Sequence, residues 1–247
     1  MKLLLLALSS FLCLSTIQGQ TPDYSSYEYM YKTQPGNDTT SNVKISNQHQ
    51  GAYIDNLDTA KVIGFATAPL YKKQPESPLG NLMADCMKLY AEKIYNKSID
   101  AAFVNFSGIR FYIPKGDITI GTIYKVMPYD NKIILLTIQG NIFKQFLEHQ
   151  VNLGGWPCAG VNIIVKGKQI ADIQVNDQPL DETKFYTIAV ADYLANGGNQ
   201  CTMLKGIPRL DSNYLFRTAL IDYIASFTRA GKPVTSTIQN RVVYRNE

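Results

Sequence analysis

Three short polar segments carry side chains that could hold a flat, hydroxylated ligand. The segments are NFSGIR (105–110), MPYDN (127–131) and DYLANGGNQ (192–200). Tyr129 and Tyr193 supply two aromatic faces, and rings on both sides of a planar heterocycle hold a nucleobase without reading its identity. Arg110 supplies a planar fork of donors that suits a carboxylate, a phosphate or a hydroxyl group. The three segments therefore predict a binding site for a planar ligand, provided that the fold brings them together.

Amides and glycines complete this candidate site. The amides belong to Asn105, Asn131 and Asn199, and the turn glycines are Gly108, Gly197 and Gly198. Amides both donate and accept hydrogen bonds, and glycine lets the backbone turn tightly or approach a ligand. Each segment taken singly is also typical of an ordinary turn, and Asn-Gly is a frequent hairpin signal. From its own residues, DYLANGGNQ is therefore either a simple hairpin turn or a platform that holds a flat ligand.

Residues that would carry out metal or nucleophilic catalysis are scarce. The chain has two histidines, His49 and His149, and each lacks the neighbouring ligands or partners that metal sites and triads use. His149 follows Glu148 in an amphipathic segment, where we expect a solvated or half-buried side chain. No zinc-protease, phosphate-loop or nucleophile-elbow motif is present. We therefore predict no catalytic residue and no metal ligand in this chain.

The elements that must position these segments predict an α/β fold of the mixed α+β type, with helices packed on a mixed sheet. Helical patterns alternate with short apolar runs that are often joined by tight turns, which favours a mixed sheet over a parallel one. Ser77 and Pro78 predict the start of one helix, and Asn141 is the expected cap of another. Cys86 falls on the apolar face of the first helix, where a core position is expected.

Cysteine usage indicates no disulfide scaffold. Beyond Cys13, the chain has Cys86, Cys158 and Cys201, which are widely separated and include no C-x-x-C pair. One bridge could form in an oxidising compartment and would leave one free thiol.

Hydropathy and charge predict an exported chain in three parts. Residues 1–19 resemble a signal peptide, residues 20–57 form a polar arm, and residues 58–247 form the folded domain. No later run reaches about 18 apolar residues, so no membrane span is expected. The formal net charge of +4 is dispersed, which argues against a nucleic acid polymer as partner. We expect a periplasmic or secreted location.

From about Val62 to Tyr244, the chain resembles the C-terminal, substrate-binding domain of the 5'-nucleotidase family. The resemblance rests on four stretches in matching order: ESPLGNLMADCM, NFSGIR, MPYDN and DYLANGGNQ. It implies that two tyrosines sandwich the base and that one amide contacts it. It also implies ribose or phosphate contacts from the other polar residues. The implied set is Tyr129 and Tyr193 for the base sandwich, Asn131 for the base, Asn105 and Arg110 for ribose or phosphate, and Lys73 for phosphate.

Several positions depart from the family pattern. Lys73 stands where the family has an arginine, Asn199 replaces a carboxylate that usually binds ribose hydroxyls, and Phe106 and Ser107 stand where glycines are common. A lysine keeps the charge but loses the bidentate fork, and an amide keeps hydrogen bonding but loses the charge.

The resemblance implies a substrate-holding part without the cleaving part. Family enzymes carry a two-metal phosphatase domain ahead of this region, where this chain has the signal peptide and the arm. The leading interpretation is an exported nucleotide- or nucleoside-binding component of a split 5'-nucleotidase. A separate metallophosphatase chain would supply the divalent metals, and this chain would bind no cofactor and would not be catalytic alone. The alternatives are a stand-alone nucleoside- or nucleotide-binding protein and a degenerate interaction module.

Overall fold

The computed structural model describes residues 58–245. The predicted signal peptide and polar arm lie outside the described residues, as do Cys13 and His49. Within 58–245, no helix is both long and apolar enough to cross a lipid bilayer.

The described residues form α-helices and β-strands in an irregular alternation. The helices are α1 (Pro78–Tyr95), α2 (Ile120–Val126), α3 (Gly140–Asn152), α4 (Asp192–Ala195) and α5 (Phe216–Arg229). The strands are β1 (Val62–Ala66), β2 (Ala101–Phe103), β3 (Gly116–Thr119), β4 (Lys132–Gln139), β5 (Cys158–Ala159), β6 (Val161–Lys166), β7 (Gln169–Val175), β8 (Gln178–Pro179), β9 (Phe185–Ala191), β10 (Arg209–Leu215) and β11 (Val242–Arg245).

A five-stranded sheet lies at the centre of the fold. Its strand order is β10-β4-β9-β2-β5. β9 runs antiparallel to β4 and parallel to β2. A four-stranded sheet of order β11-β6-β7-β8 and a two-stranded sheet of β1 and β3 complete the strand pairing. The mixed pairing confirms the predicted fold class.

Both faces of the central sheet are covered, and β4 shows this directly. Ile133 and Leu135 belong to one buried apolar cluster, whereas Ile134 and Leu136 belong to another. Successive side chains of a strand point to opposite faces, so the two clusters lie on the two sides of the sheet. Helices α1 and α5 contribute to the first cluster, and α3 contributes to the second.

Helix α1 begins as its sequence predicts. The Ser77 hydroxyl accepts a hydrogen bond from the Gly80 amide at 3.1 Å, and Pro78 occupies the first helical position. Asn96 ends the helix in the left-handed conformation, with φ of 49°. Cys86 is fully buried in the first cluster, as expected.

The start of α3 differs from the prediction that Asn141 caps it. The helix begins at Gly140, one residue earlier, and Asn141 lies in its first turn. The amides of Gly140 and Asn141 donate instead to the carbonyls of Lys184 and Glu182, at 2.8 and 3.0 Å. The first amides are thus satisfied by a distant backbone segment, which no local capping signal reveals.

Cys86, Cys158 and Cys201 are free and buried. The possible bridge among them is therefore not formed. Burial raises the pKa of Cys158 to about 12 and the pKa of Cys201 to about 12. These two thiols accordingly stay protonated at neutral pH and lack thiolate reactivity.

Candidate functional site

The strand directions bring the three polar segments to one edge of the central sheet. NFSGIR follows β2 and DYLANGGNQ follows β9, and these strands are parallel neighbours. MPYDN precedes β4, which is antiparallel to β9, so the start of β4 lies at the same edge. The Arg110 amide also donates to the carbonyl of Val126 at 2.8 Å, which joins the first segment to the second. Convergence is therefore a consequence of topology, at an edge where ligands commonly bind.

A cleft of about 230 Å³ lies between the segments. Its lining residues are Asn105, Ser107, Gly108, Arg110, Tyr129, Asn131 and Tyr193. Tyr129 and Tyr193 are 42% and 45% exposed, whereas large aromatic side chains are more often mostly buried. The two rings therefore border one cleft and are available to a ligand that enters it.

The backbone around Tyr129 is held by Arg217, at the start of α5. The Arg217 guanidinium donates to the carbonyls of Met127 and Tyr129, each at 3.2 Å, and forms an ion pair with Asp130. It also lies 4.1 Å from the ring centroid of Tyr124. The Arg217 side chain is only 6% exposed. A buried guanidinium with this many partners is a rigid anchor for the loop.

The Tyr193 segment is built differently, and it is not a hairpin. Residues Asp192–Ala195 form α4, and Gly198–Gln200 form a 3-10 turn. A Cβ atom added to Gly198 would lie 2.5 Å from Cζ of Tyr193, so the ring lies directly against the glycine backbone. The Tyr193 hydroxyl accepts a hydrogen bond from the backbone amide of Asn199 at 3.1 Å. DYLANGGNQ is therefore not a simple bend: it holds the ring of its own Tyr193 in place, and this close approach requires glycine at 198.

Asn199 links this segment to its surroundings. It has a left-handed backbone conformation with φ of 50°. Its carbonyl oxygen lies 2.7 Å from Nε2 of His149, which must donate because a carbonyl only accepts. The His149 ring is also edge-on to Trp156, with the centroids 6.3 Å apart. His149 is half-buried, one of the two environments expected for it, and in addition it supports the loop.

The NFSGIR segment is held by its own side chains. Asn105 is buried, and its Nδ2 donates to Ser107 Oγ at 3.2 Å. A Cβ on Gly108 would lie 2.9 Å from both polar atoms of the Asn105 amide, so glycine makes room for that side chain. Arg110 Nη1 donates to the Ser107 carbonyl at 3.3 Å and otherwise faces solvent. Among residues 58–245 no further hydrogen-bond partner of this guanidinium is found, so at the rim of the cleft it has donors available for an anion.

The two neighbouring lysines lie in different environments. Lys73 is exposed and does not line the cleft. Lys72 donates from Nζ to the Ile109 carbonyl at 2.7 Å and lies 4.6 Å from the ring centroid of Phe106. Burial, and secondarily the charge of Arg110, lower the pKa of Lys72 below its ordinary value. Lys72 is therefore the lysine that adjoins the NFSGIR segment.

The predicted site residues fall into three groups in the structure. Those that line the cleft are Asn105, Gly108, Arg110, Tyr129, Asn131 and Tyr193. Gly197, Gly198 and Asn199 are outside the lining and belong to the segment that supports Tyr193, and Lys73 belongs to neither group. Sequence reasoning had not assigned a site role to Lys72, Ser107, His149 or Arg217. Ser107 lies within NFSGIR, so its place in that motif could have indicated a role, whereas no sequence pattern marks Arg217 as part of the site.

The donor set of the cleft suits an organic ligand with hydroxyl or phosphate groups. It consists of amides, a hydroxyl, a guanidinium and two phenol rings. Across residues 58–245 no three His, Cys, Asp or Glu side chains are grouped so that they could hold a metal ion.

Comparisons with known proteins relate this chain to a single family. The family described as 5'-nucleotidase, C-terminal domain, matches residues 59–206. UshA of Yersinia enterocolitica is 27% identical over 129 residues, which cover 50% of this chain and 22% of UshA. A snake venom 5'-nucleotidase of Gloydius brevicauda is 26% identical over 197 residues, which cover 68% of this chain and 33% of that protein.

A solved structure supports the same relationship. The structure of a 5'-nucleotidase precursor from Thermus thermophilus matches with a TM-score of 0.68 and 27% identity, covering 76% of this chain and 40% of that one. The chain therefore spans well under half the length of these relatives. All three loops of the cleft lie inside the matched residues 59–206, which make up more than half of the 247 residues, and the chain belongs to the 5'-nucleotidase C-terminal domain family.

Proposed function

We propose that this protein binds a nucleotide or nucleoside in the cleft, with the base held between Tyr129 and Tyr193. The observation that carries the proposal is the pair of half-exposed tyrosine rings on one cleft, supported by family membership. Stacking on two aromatic faces suits any base, because every base has a π-face. Asn131 lines the cleft beside Tyr129 and is suited to contact a polar edge of the base.

The sugar and phosphate would lie toward the NFSGIR segment. Asn105 and Arg110 line that side of the cleft, and Arg110 has donors available for an anionic group. Lys72 adds a second positive charge near Arg110: burial first, and then repulsion by the Arg110 charge, lower the pKa of Lys72. Two neighbouring cations repel each other, and a phosphate bound close to both would stabilise both charges. We therefore assign the lysine contribution to Lys72, although Lys73 is the position that the family pattern suggests.

The wider proposal is that the protein is the nucleotide-binding component of a split 5'-nucleotidase. A separate metallophosphatase chain, exported to the same compartment, would hold the divalent metals and activate water. The support is the family match together with a cleft whose donors are of the types that suit a nucleotide. In this proposal, the chain alone recognises the ligand and does not hydrolyse it.

The base sandwich is tested by calorimetry with AMP and adenosine. Tyr129→Ala and Tyr193→Ala should each weaken binding by about 1–3 kcal/mol, the contribution of one base–aromatic stack. Phe185→Ala is the matched control, because Phe185 is an exposed aromatic residue that does not line the cleft. Unchanged affinity in both tyrosine variants would exclude the sandwich.

The phosphate contact is tested by comparing two adjacent lysines. Lys72→Met should weaken AMP binding while leaving adenosine binding within about twofold, because only AMP carries the anion. Lys73→Met, one residue away and exposed, should leave both affinities unchanged. The opposite ranking of the two variants would return the phosphate contact to Lys73.

The split-enzyme proposal is tested by phosphate release from AMP in the presence of Mg²⁺ or Mn²⁺. The full chain alone should release none, and addition of a metallophosphatase domain that lacks its own C-terminal domain should give turnover. Binding without turnover in either mixture would favour a stand-alone binding protein. Absence of AMP and adenosine binding would favour an interaction module.

A further inference from the structure

A second cleft, of about 240 Å³, lies at the opposite edge of the central sheet from the three polar segments. β5 runs antiparallel to β2, so Gly160, which follows β5, lies beside the start of β2, whereas NFSGIR follows its end. The residues that line the second cleft are Gly160, Val161, Asn162, Asn176, Asp177, Gln239 and Arg241. Within residues 58–245 the two clefts share no lining residue, so a ligand of the second cleft would not compete for the first.

The Arg241 guanidinium forms a fixed wall of the second cleft. Its side chain is 10% exposed and forms an ion pair with Asp85 of α1 at 2.8 Å. It also donates from Nη1 to the Cys158 carbonyl at 2.8 Å and from Nη2 to Gln239 Oε1 at 2.7 Å. The second N–H of Nη1 has no partner among residues 58–245. The charge of Arg241 is therefore compensated by Asp85, while one donor stays available.

Two polar side chains of the lining have no partner within the described part of the chain. Asn162 is half-buried on β6, and Asp177 is exposed in the turn between β7 and β8. For neither side chain is a hydrogen bond or an ion pair found across residues 58–245. The backbone amide of Asn176 donates to the Gly160 carbonyl at 3.0 Å, which fixes the turn at the cleft. An amide, a carboxylate and a guanidinium N–H are thus available to a ligand in one place.

This set of groups suits a neutral molecule with several hydroxyl groups. A hydroxyl both donates and accepts, so it can pair with the Asn162 amide, donate to the Asp177 carboxylate and accept from Arg241. An anion gains little, because Asp85 already neutralises the guanidinium and Asp177 would repel it. An organic cation gains little from Asp177 either, because water and salt screen an exposed carboxylate.

We infer that the second cleft binds a single sugar ring, either a free monosaccharide or the terminal ring of a glycan. Its volume equals that of about eight water molecules at ~30 Å³ each, which accommodates one ring. A few hydrogen bonds in an open cleft support a dissociation constant of about 1–10 mM. The inference adds a binding site to the protein and does not depend on the proposed nucleotide-binding function.

The test is an NMR titration of the isotope-labelled full chain with D-glucose, D-galactose and D-mannose. At least one hexose should shift the backbone amide signals of Gly160, Asn162 and Asp177 with a dissociation constant of about 1–10 mM, and should leave those of Tyr129 and Tyr193 in place. Absence of a saturable shift with all three hexoses would overturn the inference, as would shifts confined to the two tyrosines.

Further probes test the ligand class. Inorganic phosphate represents an anion and ethanolamine an organic cation, and tighter binding of either one than of the hexoses at these signals would overturn the sugar assignment. The methyl glycoside of the bound hexose separates the two sources of a sugar ring. Binding of the glycoside as tight as that of the hexose assigns the end of a glycan, and binding of the hexose alone assigns a free monosaccharide.

One substitution locates the hydroxyl contact. Asp177→Asn keeps the size of the side chain and removes its charge, and asparagine readily adopts the left-handed conformation, with φ of 61°, found at this position. The hexose affinity should fall about fivefold, because a hydroxyl loses its charged acceptor. Asp117→Asn is the matched control, because Asp117 is an exposed carboxylate on β3 outside the lining. Equal hexose affinities of the two variants would contradict the assignment.

Discussion

The two walls of the cleft carry the same residue type on supports of different kinds. The Tyr129 wall is fixed from outside, by a buried guanidinium that belongs to a helix about 90 residues further along the chain. The Tyr193 wall is fixed from within, by a glycine under the ring and by a hydrogen bond to the ring's own hydroxyl. Within residues 58–245, no hydrogen bond is found for the Tyr129 hydroxyl.

This difference determines how each wall responds to change. A substitution that removes the anchor of Tyr129 should also lower the free energy of unfolding, because Arg217 is part of the packed interior. The position of Tyr193 depends instead on the local backbone of its own segment. Substitutions should therefore separate the walls, with losses of stability on one side and losses of affinity on the other.

The largest effect is expected from Arg217→Met. It would leave two backbone carbonyls and Asp130 without their charged partner, and the free energy of unfolding should fall by about 3 kcal/mol. Asp130→Asn is the control: its carboxylate is 44% exposed, so its loss should cost below about 1 kcal/mol. Urea denaturation measures both values. A loss in Arg217→Met no greater than in Asp130→Asn would remove the distinction between the walls.

Gly198→Ala should break the Tyr193 wall. The new Cβ would lie 2.5 Å from both Cζ and the backbone carbonyl oxygen of Tyr193, so the ring and the local backbone must move, and AMP binding should weaken by about 1–3 kcal/mol. Gly206→Ala provides the comparison, because Gly206 has φ of 80° but open space around it. That variant should cost about 1–2 kcal/mol of stability through backbone strain and leave AMP affinity unchanged. Equal AMP affinity in the two variants would show that the glycine does not position the ring.

Removal of single hydroxyls compares the walls most directly. Tyr193→Phe keeps the ring but loses the bond from the Asn199 amide, so AMP binding should weaken by about 1 kcal/mol. Tyr129→Phe should bind AMP like the unmodified protein, because its ring is positioned through the backbone. Calorimetry at one temperature is sufficient, and a larger effect at Tyr129 than at Tyr193 would reverse the comparison.

Local chemistry made one part of this architecture predictable from sequence. The cap at Ser77 is read over a few residues, so the sequence predicts the start of α1, and the polar composition of the three segments marks them as connections between elements. The alternation of helices and strands gave the mixed sheet, and the sheet then brought the loops to one edge. The role of each residue toward a ligand stays a prediction.

The remainder depends on contacts between distant residues. Arg217 looks like an ordinary helix charge until α5 is packed behind the Tyr129 loop, and β10 is a polar, exposed edge strand with no apolar alternation to mark it. Lys72 and Lys73 are adjacent and identical, so only the fold distinguishes the half-buried lysine from the exposed one. Asn141 has the composition of a cap, but a backbone segment about 40 residues away satisfies the amides instead.

The smallest effect is expected at His149, which supports the Tyr193 wall indirectly, through Asn199. His149→Phe keeps an aromatic ring against Trp156 and loses only the hydrogen bond to the Asn199 carbonyl. Asn199 is half-exposed, so water can replace the lost donor, and AMP binding should weaken by about 0.5 kcal/mol, roughly twofold. Glu148→Gln, at the exposed neighbouring position, should leave AMP affinity unchanged.

In the double variant of His149→Phe with Tyr193→Phe, the two losses of AMP affinity should be less than additive, because both act on the position of one ring through Asn199. Full additivity would show that His149 acts on the cleft by another route.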